Sequence, residues 1–127
     1  MSNLRIGQGF DAHKIIKGPK DFILGGILID SEYEVVAHSD GDIISHAIID
    51  ALLGACNMGD IGKLAPSNQE NKDISSIYLL NKVSTMLSKA GYQIVNIDLT
   101  YVGEEPRLEK FKKNIEENLA KELKMNP

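Results

Sequence analysis

Residues 37–55 read AHSDGDIISHAIIDALLGA, a polar, Gly-containing turn that runs without a break into an apolar helix. Ile44, Ala47, Ile48, Ala51, Leu52 and Ala55 recur at helical spacing and make one stripe for a core. Ser39 and Asp42 have the Ser-x-x-acid spacing of an N-terminal cap pair. His46 stands inside that otherwise apolar helix, and Asp42, His46 and Asp50, at i, i+4 and i+8, share one face. The stripe reads as an imidazole held by a carboxylate, or equally as a satisfied half-buried histidine or a solvated row of charges.

Upstream of this helix, residues 4–10 read as a Gly-punctuated strand. Residues 22–29 (FILGGILI) read as a second strand, in which Gly25-Gly26 marks a bulge or a close backbone approach. Residues 11–21 between them form a polar loop. Downstream, residues 59–72 are rich in Gly, Pro, Asn and Asp without periodicity, a long loop of the kind that carries function. A second helix is expected over 74–90, with Ile77, Leu80, Ser84 and Leu87 on one side and Gly91 at its C′ position. Over 93–103, Val95, Ile97, Leu99 and Tyr101 alternate with polar residues as in a half-buried strand. Pro106 opens a third helix whose stripe is Leu108, Phe111, Ile115, Leu119 and Leu123. Strand, strand, helix, helix, strand, helix describes an α+β fold, a two-layer sandwich with helices on one face of a mixed β-sheet. The 127 residues suit a single domain.

The chain carries 14 Lys+Arg against 18 Asp+Glu, a net charge of −4, so no basic nucleic-acid footprint is visible. An acidic protein that takes a polyanion must do so locally, through metal ions, backbone N–H groups and a few placed cations. Cys56 has no second cysteine to pair with and reads as a small buried hydrophobe. The apolar runs are too short to span a bilayer and MSNLRIG lacks the apolar core of a signal peptide, so a cytoplasmic location is expected.

Asp11-Ala12-His13 sets two metal-ligating side chains two residues apart, on one side of an extended chain. The same triplet also reads as an ordinary polar loop start. His46 is the best third ligand, because the first turn of its helix faces the same polar loop region. One Asp and two neutral His with a fourth position open is the donor class of Zn²⁺ acting on a substrate oxygen. His38 and Ser39 bring an imidazole, a hydroxyl and helix N-terminal N–H groups to the turn before the helix, a set suited to an anion as well as to capping. In Gly59-Asp60-Ile61-Gly62-Lys63, Asp60 suits vicinal hydroxyls such as a ribose; the alternative is a helix cap at Gly59 with Lys63 in solvent.

Taken in order, RIGQGFDAH (5–13), AHSDGD (37–42), His46, DALLGA (50–55) and GDIGK (59–63) resemble the 2-C-methyl-D-erythritol 2,4-cyclodiphosphate synthase family of non-mevalonate isoprenoid synthesis. The resemblance runs from about residue 4 onward. It implies a ferredoxin-like arrangement and a homotrimer with active sites between subunits. It implies that Asp11, His13 and His46 bind one Zn²⁺ per subunit and that His38 and Ser39 contact substrate phosphate. Asp60 and Gly62 would sit by the sugar, and Arg107, in the segment 104–108, near the cytidine pocket. The implied substrate is 4-diphosphocytidyl-2-C-methyl-D-erythritol 2-phosphate, cyclised with loss of CMP, with a second divalent ion, Mg²⁺ or Mn²⁺, on its diphosphate. Two departures stand out. Ser67 follows Pro66 where the family usually has Asp, and the family's closing strand with its Thr-Thr-Glu run has no counterpart within these residues. The competing readings are another zinc-dependent phosphohydrolase and a non-catalytic metal- or nucleotide-binding module.

Overall fold

The computed structural model describes residues 3–65 and 75–127; Pro66, Ser67, the rest of the expected loop to residue 72, and Ile74 lie outside them. Four short strands precede the first helix: β1 (Ile15–Lys17), β2 (Phe22–Leu24), β3 (Ile27–Ile29) and β4 (Tyr33–Val35). β2 and β3 pair antiparallel, Phe22 opposite Ile29 and Leu24 opposite Ile27. The single strand expected over 22–29 is therefore a hairpin. Gly25 and Gly26 take φ of 58° and 77°, which is the two-residue turn that Gly-Gly favours between apolar runs. Around this hairpin β1 pairs antiparallel with β4, Ile15 opposite Val35. Val36 N–H donates to the Lys14 carbonyl and Gly18 N–H to that of Glu32, extending the ladder at both ends. β1 lies in the expected polar loop, and β4 in a stretch given no strand from sequence. Ile15, Tyr33 and Val35 hold this short ribbon on the core.

α1 (Ile43–Ala55) is capped by Asp42, whose Oδ1 accepts from Ser45 N–H at 3.0 Å. Ser39, expected to share the cap, lies outside the helix. The Asp42 carboxylate is fully buried and also accepts from Gly25 N–H and Gly26 N–H, 2.8 Å each, and from the Ser45 hydroxyl at 2.7 Å. One side chain thus starts the helix and pins the hairpin turn to it. α1 buries Ile44, Ile48, Ile49, Leu52 and Leu53. Ala47 and Ala51, expected in the core stripe, instead meet the N-terminal segment. A Cβ on Gly9 would fall 1.7 Å from the Ala47 carbonyl oxygen and one on Gly7 1.8 Å from that of Ala51, so backbone lies directly on helix there.

α2 (Ile61–Leu64) is a single turn. α3 (Ser76–Lys89) buries Ser76, Leu79, Leu80, Val83 and Leu87, a stripe rotated from the expected one so that Ile77 and Ser84 flank it. Gly91, at φ 90°, ends it as expected, with Gly91 N–H donating to the Ser88 carbonyl and Tyr92 N–H to that of Leu87. Pro106 does not open the last helix; it is buried after a cis peptide with Glu105. Leu108 and Phe111 pack on the core around a 3-10 turn (Glu109–Phe111), and only then does α4 (Lys112–Leu123) begin, burying Ile115, Leu119, Ala120 and Leu123. α1 packs on α3 and α3 on α4.

The architecture is α+β, but the ladders among the described residues are antiparallel, not one mixed sheet. Residues 4–10 and 93–103, expected as strands, join no ladder. A cleft of about 990 Å³, walled by residues 3–9, α1 and 92–99, lies between them, and pairing needs backbones about 4.8 Å apart. The expected alternation also slips: Ile94, Ile97 and Tyr101 pack on the core while Val95 is 79% exposed.

Candidate metal centre

The contact of Gly9 with α1 sets the register of the site. With Gly9 against Ala47, the chain two residues on brings Asp11 to His46, one turn into the helix. Asp11 Oδ2 lies 3.0 Å from His46 Nδ1 and 3.1 Å from His13 Nε2. The two imidazole centroids are 6.1 Å apart. One ligand atom from each of Asp11, His13 and His46 lies within 4.8 Å of the others. Tetrahedral zinc, with bonds near 2.0–2.1 Å, spaces its ligand atoms about 3.3 Å apart, so a small rotation of these side chains would admit the ion. A borderline-soft cation is what one carboxylate and two imidazoles suit. The expected three-residue convergence is thus present in space.

Electrostatics agree with a cation-seeking cluster. Burial alone would raise the Asp11 pKa, but the His46 hydrogen bond and the charges of His13 and His46 outweigh it and hold the carboxyl below its ordinary value. Burial likewise would lower His46, yet the hydrogen bond and charge of Asp11, with Asp42 and Asp40 behind, raise it. Asp42 itself is pushed up by burial, against the hydrogen bonds it accepts.

The other face of His46 is built differently from the expectation. Asp42 does not hold the ring, because its oxygens are occupied by the hairpin turn and Ser45; Asp50 points away, its Oδ1 accepting from Ile61 N–H at 2.8 Å. His46 Nε2 instead meets Ser76 Oγ at 2.6 Å and Ser39 Oγ at 3.3 Å. Ser76 N–H and its hydroxyl both donate to the Asp40 carboxylate. Asp40 and Ser76 are residues that sequence reasoning missed; the polar SDGD run and the Ser pair at the start of α3 were the only signals.

Ser39 therefore borders the cluster, and the exposed His38 stands beside it on the turn before α1. Asp60 acts as the cap of α2, its Oδ1 accepting from Lys63 N–H at 3.0 Å, with Gly62 exposed in that turn. Asn57, at φ 55°, makes the left-handed exit from α1, and Gly59 follows at φ 90°. Arg107, exposed beyond the cis-bonded Pro106, is not among the groups gathered at His46.

Known proteins are similar to this chain in sequence and in fold. The family model of the YgbB family matches residues 4–127. The 2-C-methyl-D-erythritol 2,4-cyclodiphosphate synthase of Fusobacterium nucleatum is 44% identical over 124 residues, 97% of this chain and 77% of its own. The synthase of that name from Clostridium botulinum is 43% identical, with 97% and 79% covered. Among solved structures, a 2C-methyl-D-erythritol-2,4-cyclodiphosphate synthase with bound CDP has a TM-score of 0.83 at 30% identity, covering 96% of this chain and 81% of that one. A CDP complex from Plasmodium falciparum gives 0.81 at 38%, covering 96% and 74%. With the matched segment including Asp11, His13 and His46 and running the length of the fold just described, the chain belongs to the YgbB family.

Proposed function

We propose that this chain cyclises 4-diphosphocytidyl-2-C-methyl-D-erythritol 2-phosphate to 2-C-methyl-D-erythritol 2,4-cyclodiphosphate, releasing CMP. The observation that carries the reading is the meeting of Asp11, His13 and His46 within 4.8 Å, in a chain whose relatives bear the synthase name. In this reaction the 2-phosphate oxygen forms a bond to the β-phosphorus of the diphosphate and the bond to CMP breaks. No protein nucleophile is required, and catalysis is positioning and neutralisation of charge. Asp11, His13 and His46 would hold Zn²⁺, which when bound would supply Lewis-acid polarisation of a phosphate oxygen. A second ion, Mg²⁺ or Mn²⁺, accompanies the diphosphate.

His38 and Ser39 contact phosphate from the turn before α1, and Ser39 already faces the metal cluster through His46. Asp60 and Gly62 border the sugar, on a turn that Asp50 fastens to α1. Arg107 contributes to the cytidine pocket. The enzyme is a phosphorus–oxygen lyase, works in the cytoplasm and assembles as a ferredoxin-like homotrimer whose sites lie between subunits. No helix among the described residues is long and apolar enough to cross a membrane.

The test follows products of the diphosphocytidyl substrate by phosphorus NMR and nucleotide chromatography. Wild type is expected to yield cyclic diphosphate and CMP with about one zinc per subunit. His46→Ala is expected to lose the zinc and at least about 100-fold of the rate, since metal assistance is worth several kcal/mol. Full turnover by His46→Ala would overturn the reading, and free phosphate as product would make the chain a phosphohydrolase.

A further inference from the structure

Of the two hydroxyls that face His46 Nε2, those of Ser76 and Ser39, the nearer one, Ser76, has its hydrogen-bond direction fixed by Asp40. Asp40 accepts from Asp42 N–H and the Ser76 hydroxyl at Oδ1 and from Ser76 N–H, 2.9 Å away, at Oδ2. A carboxylate has no proton to give, so the single hydroxyl hydrogen of Ser76 points to Asp40. That leaves a lone pair of Ser76 Oγ facing His46 Nε2 at 2.6 Å, and the contact is a hydrogen bond only if Nε2 carries a hydrogen. The remaining ring nitrogen, Nδ1, is the one turned to Asp11.

We infer that Asp40 and Ser76 are positioning residues that keep a hydrogen on His46 Nε2, so that Nδ1, which shares its hydrogen with Asp11 in the metal-free protein, is the nitrogen left for a metal, with the ring then the Nε2–H tautomer. Ser76 is fully buried and sits on the first turn of α3, while Asp40 lies on the turn before α1. The pair ties the start of α3 to the metal centre, and ring orientation is set from an element that supplies no ligand itself. Such partners of ligating histidines are worth about 10–100-fold in metal affinity.

The inference rests on the metal-binding reading above, and its test separates the two. Zinc affinity is measured by competition with a chromophoric chelator, the site geometry by the visible spectrum of the Co²⁺ form, and the His46 tautomer by long-range ¹H–¹⁵N correlation. Ser76→Ala is expected to weaken zinc binding roughly 10–100-fold, to alter the Co²⁺ bands and to lose the defined Nε2–H signal. Ser76→Thr, which keeps the hydroxyl, should stay near wild type.

Asp40→Asn provides the second arm. Its amide must set NH₂ against one backbone N–H, that of Ser76 or that of Asp42, so the pair of acceptor oxygens that fixes the Ser76 hydroxyl is broken in either orientation. Loss of the defined Nε2–H signal and roughly 10–100-fold weaker zinc binding are expected. Wild-type zinc affinity and tautomer in folded Ser76→Ala or Asp40→Asn would overturn the inference while leaving the metal site standing. A wild-type protein that binds no zinc would overturn the metal reading and this inference with it.

Discussion

Asp11 Oδ2 lies between two imidazole nitrogens, a place that a cation or a shared proton can fill, and this competition sets the pH behaviour of the site. The His46 pKa is raised, so in the metal-free protein its protonated form stabilises the fold. That contribution is fully present below the unfolded value of about 6.5 and is lost as pH rises through the higher folded value. Asp11 is lowered, so its contribution is present above about 3.9 and lost as pH falls through its folded value. Zinc needs Nδ1 without its proton, so the metal contributes in the opposite sense to the His46 proton. The rise in melting temperature on adding zinc is expected to be small at about pH 5.5 and to grow through a midpoint above about 6.5. Melting curves with and without zinc across this range check it, and an increment independent of pH would contradict it. The ligand types were legible because Asp and His in a short triplet are conspicuous. The partner of His46 Nε2 was not, since helical spacing offered Asp42 and Asp50 and gives no hint that both are engaged elsewhere.

Two contacts between elements position that cluster. Asp42 joins α1 to the β2–β3 turn with four accepted hydrogen bonds from buried or part-buried donors. Asp42→Ala removes the cap and strands the Gly25 and Gly26 N–H groups, and is expected to cost about 3 kcal/mol. Urea unfolding would measure it, and a loss within experimental error would show the hairpin held by packing alone. Gly9 lets the N-terminal segment lie on α1. Gly9→Ala must push that segment off the helix and is expected to cost about 1–3 kcal/mol and to weaken zinc binding, because Asp11 follows two residues later. Chelator competition checks it; unchanged affinity would separate the glycine contact from the site. The Gly25-Gly26 pair marked this turn in the sequence, yet a bulge and a hairpin share that signal. Only the antiparallel pairing of Phe22 with Ile29 distinguishes them.

At the scale of the molecule, Ile6 and Phe10 are 93% and 82% exposed, four residues apart in a segment that lies on α1 through its glycines. Exposed apolar groups of this size on one segment are what an interface between copies requires. The proposed trimer predicts that Ile6→Asp combined with Phe10→Asp lowers the sedimentation coefficient at micromolar concentration while the monomer keeps its helical circular dichroism. An unchanged assembly would place the interface elsewhere. The sequence by itself determined that three helices form, expected over 43–55, 74–90 and from Pro106 onward and found at 43–55, 76–89 and 112–123, because a 3.6-residue apolar period is a local property that any core must satisfy. It also offered Asp11, His13 and His46 as a candidate donor set, because chemistry is written in residue type, and the fold brings the three together. Tertiary structure alone decided that 15–17 pairs with 33–35, that 4–10 and 93–103 join no ladder among the described residues, and that Asp40 and Ser76, not Asp42, stand behind His46. Those outcomes depend on contacts between residues 16 to 36 apart, whose hydrogen bonds are fixed by how whole elements pack and leave no periodic trace in the chain.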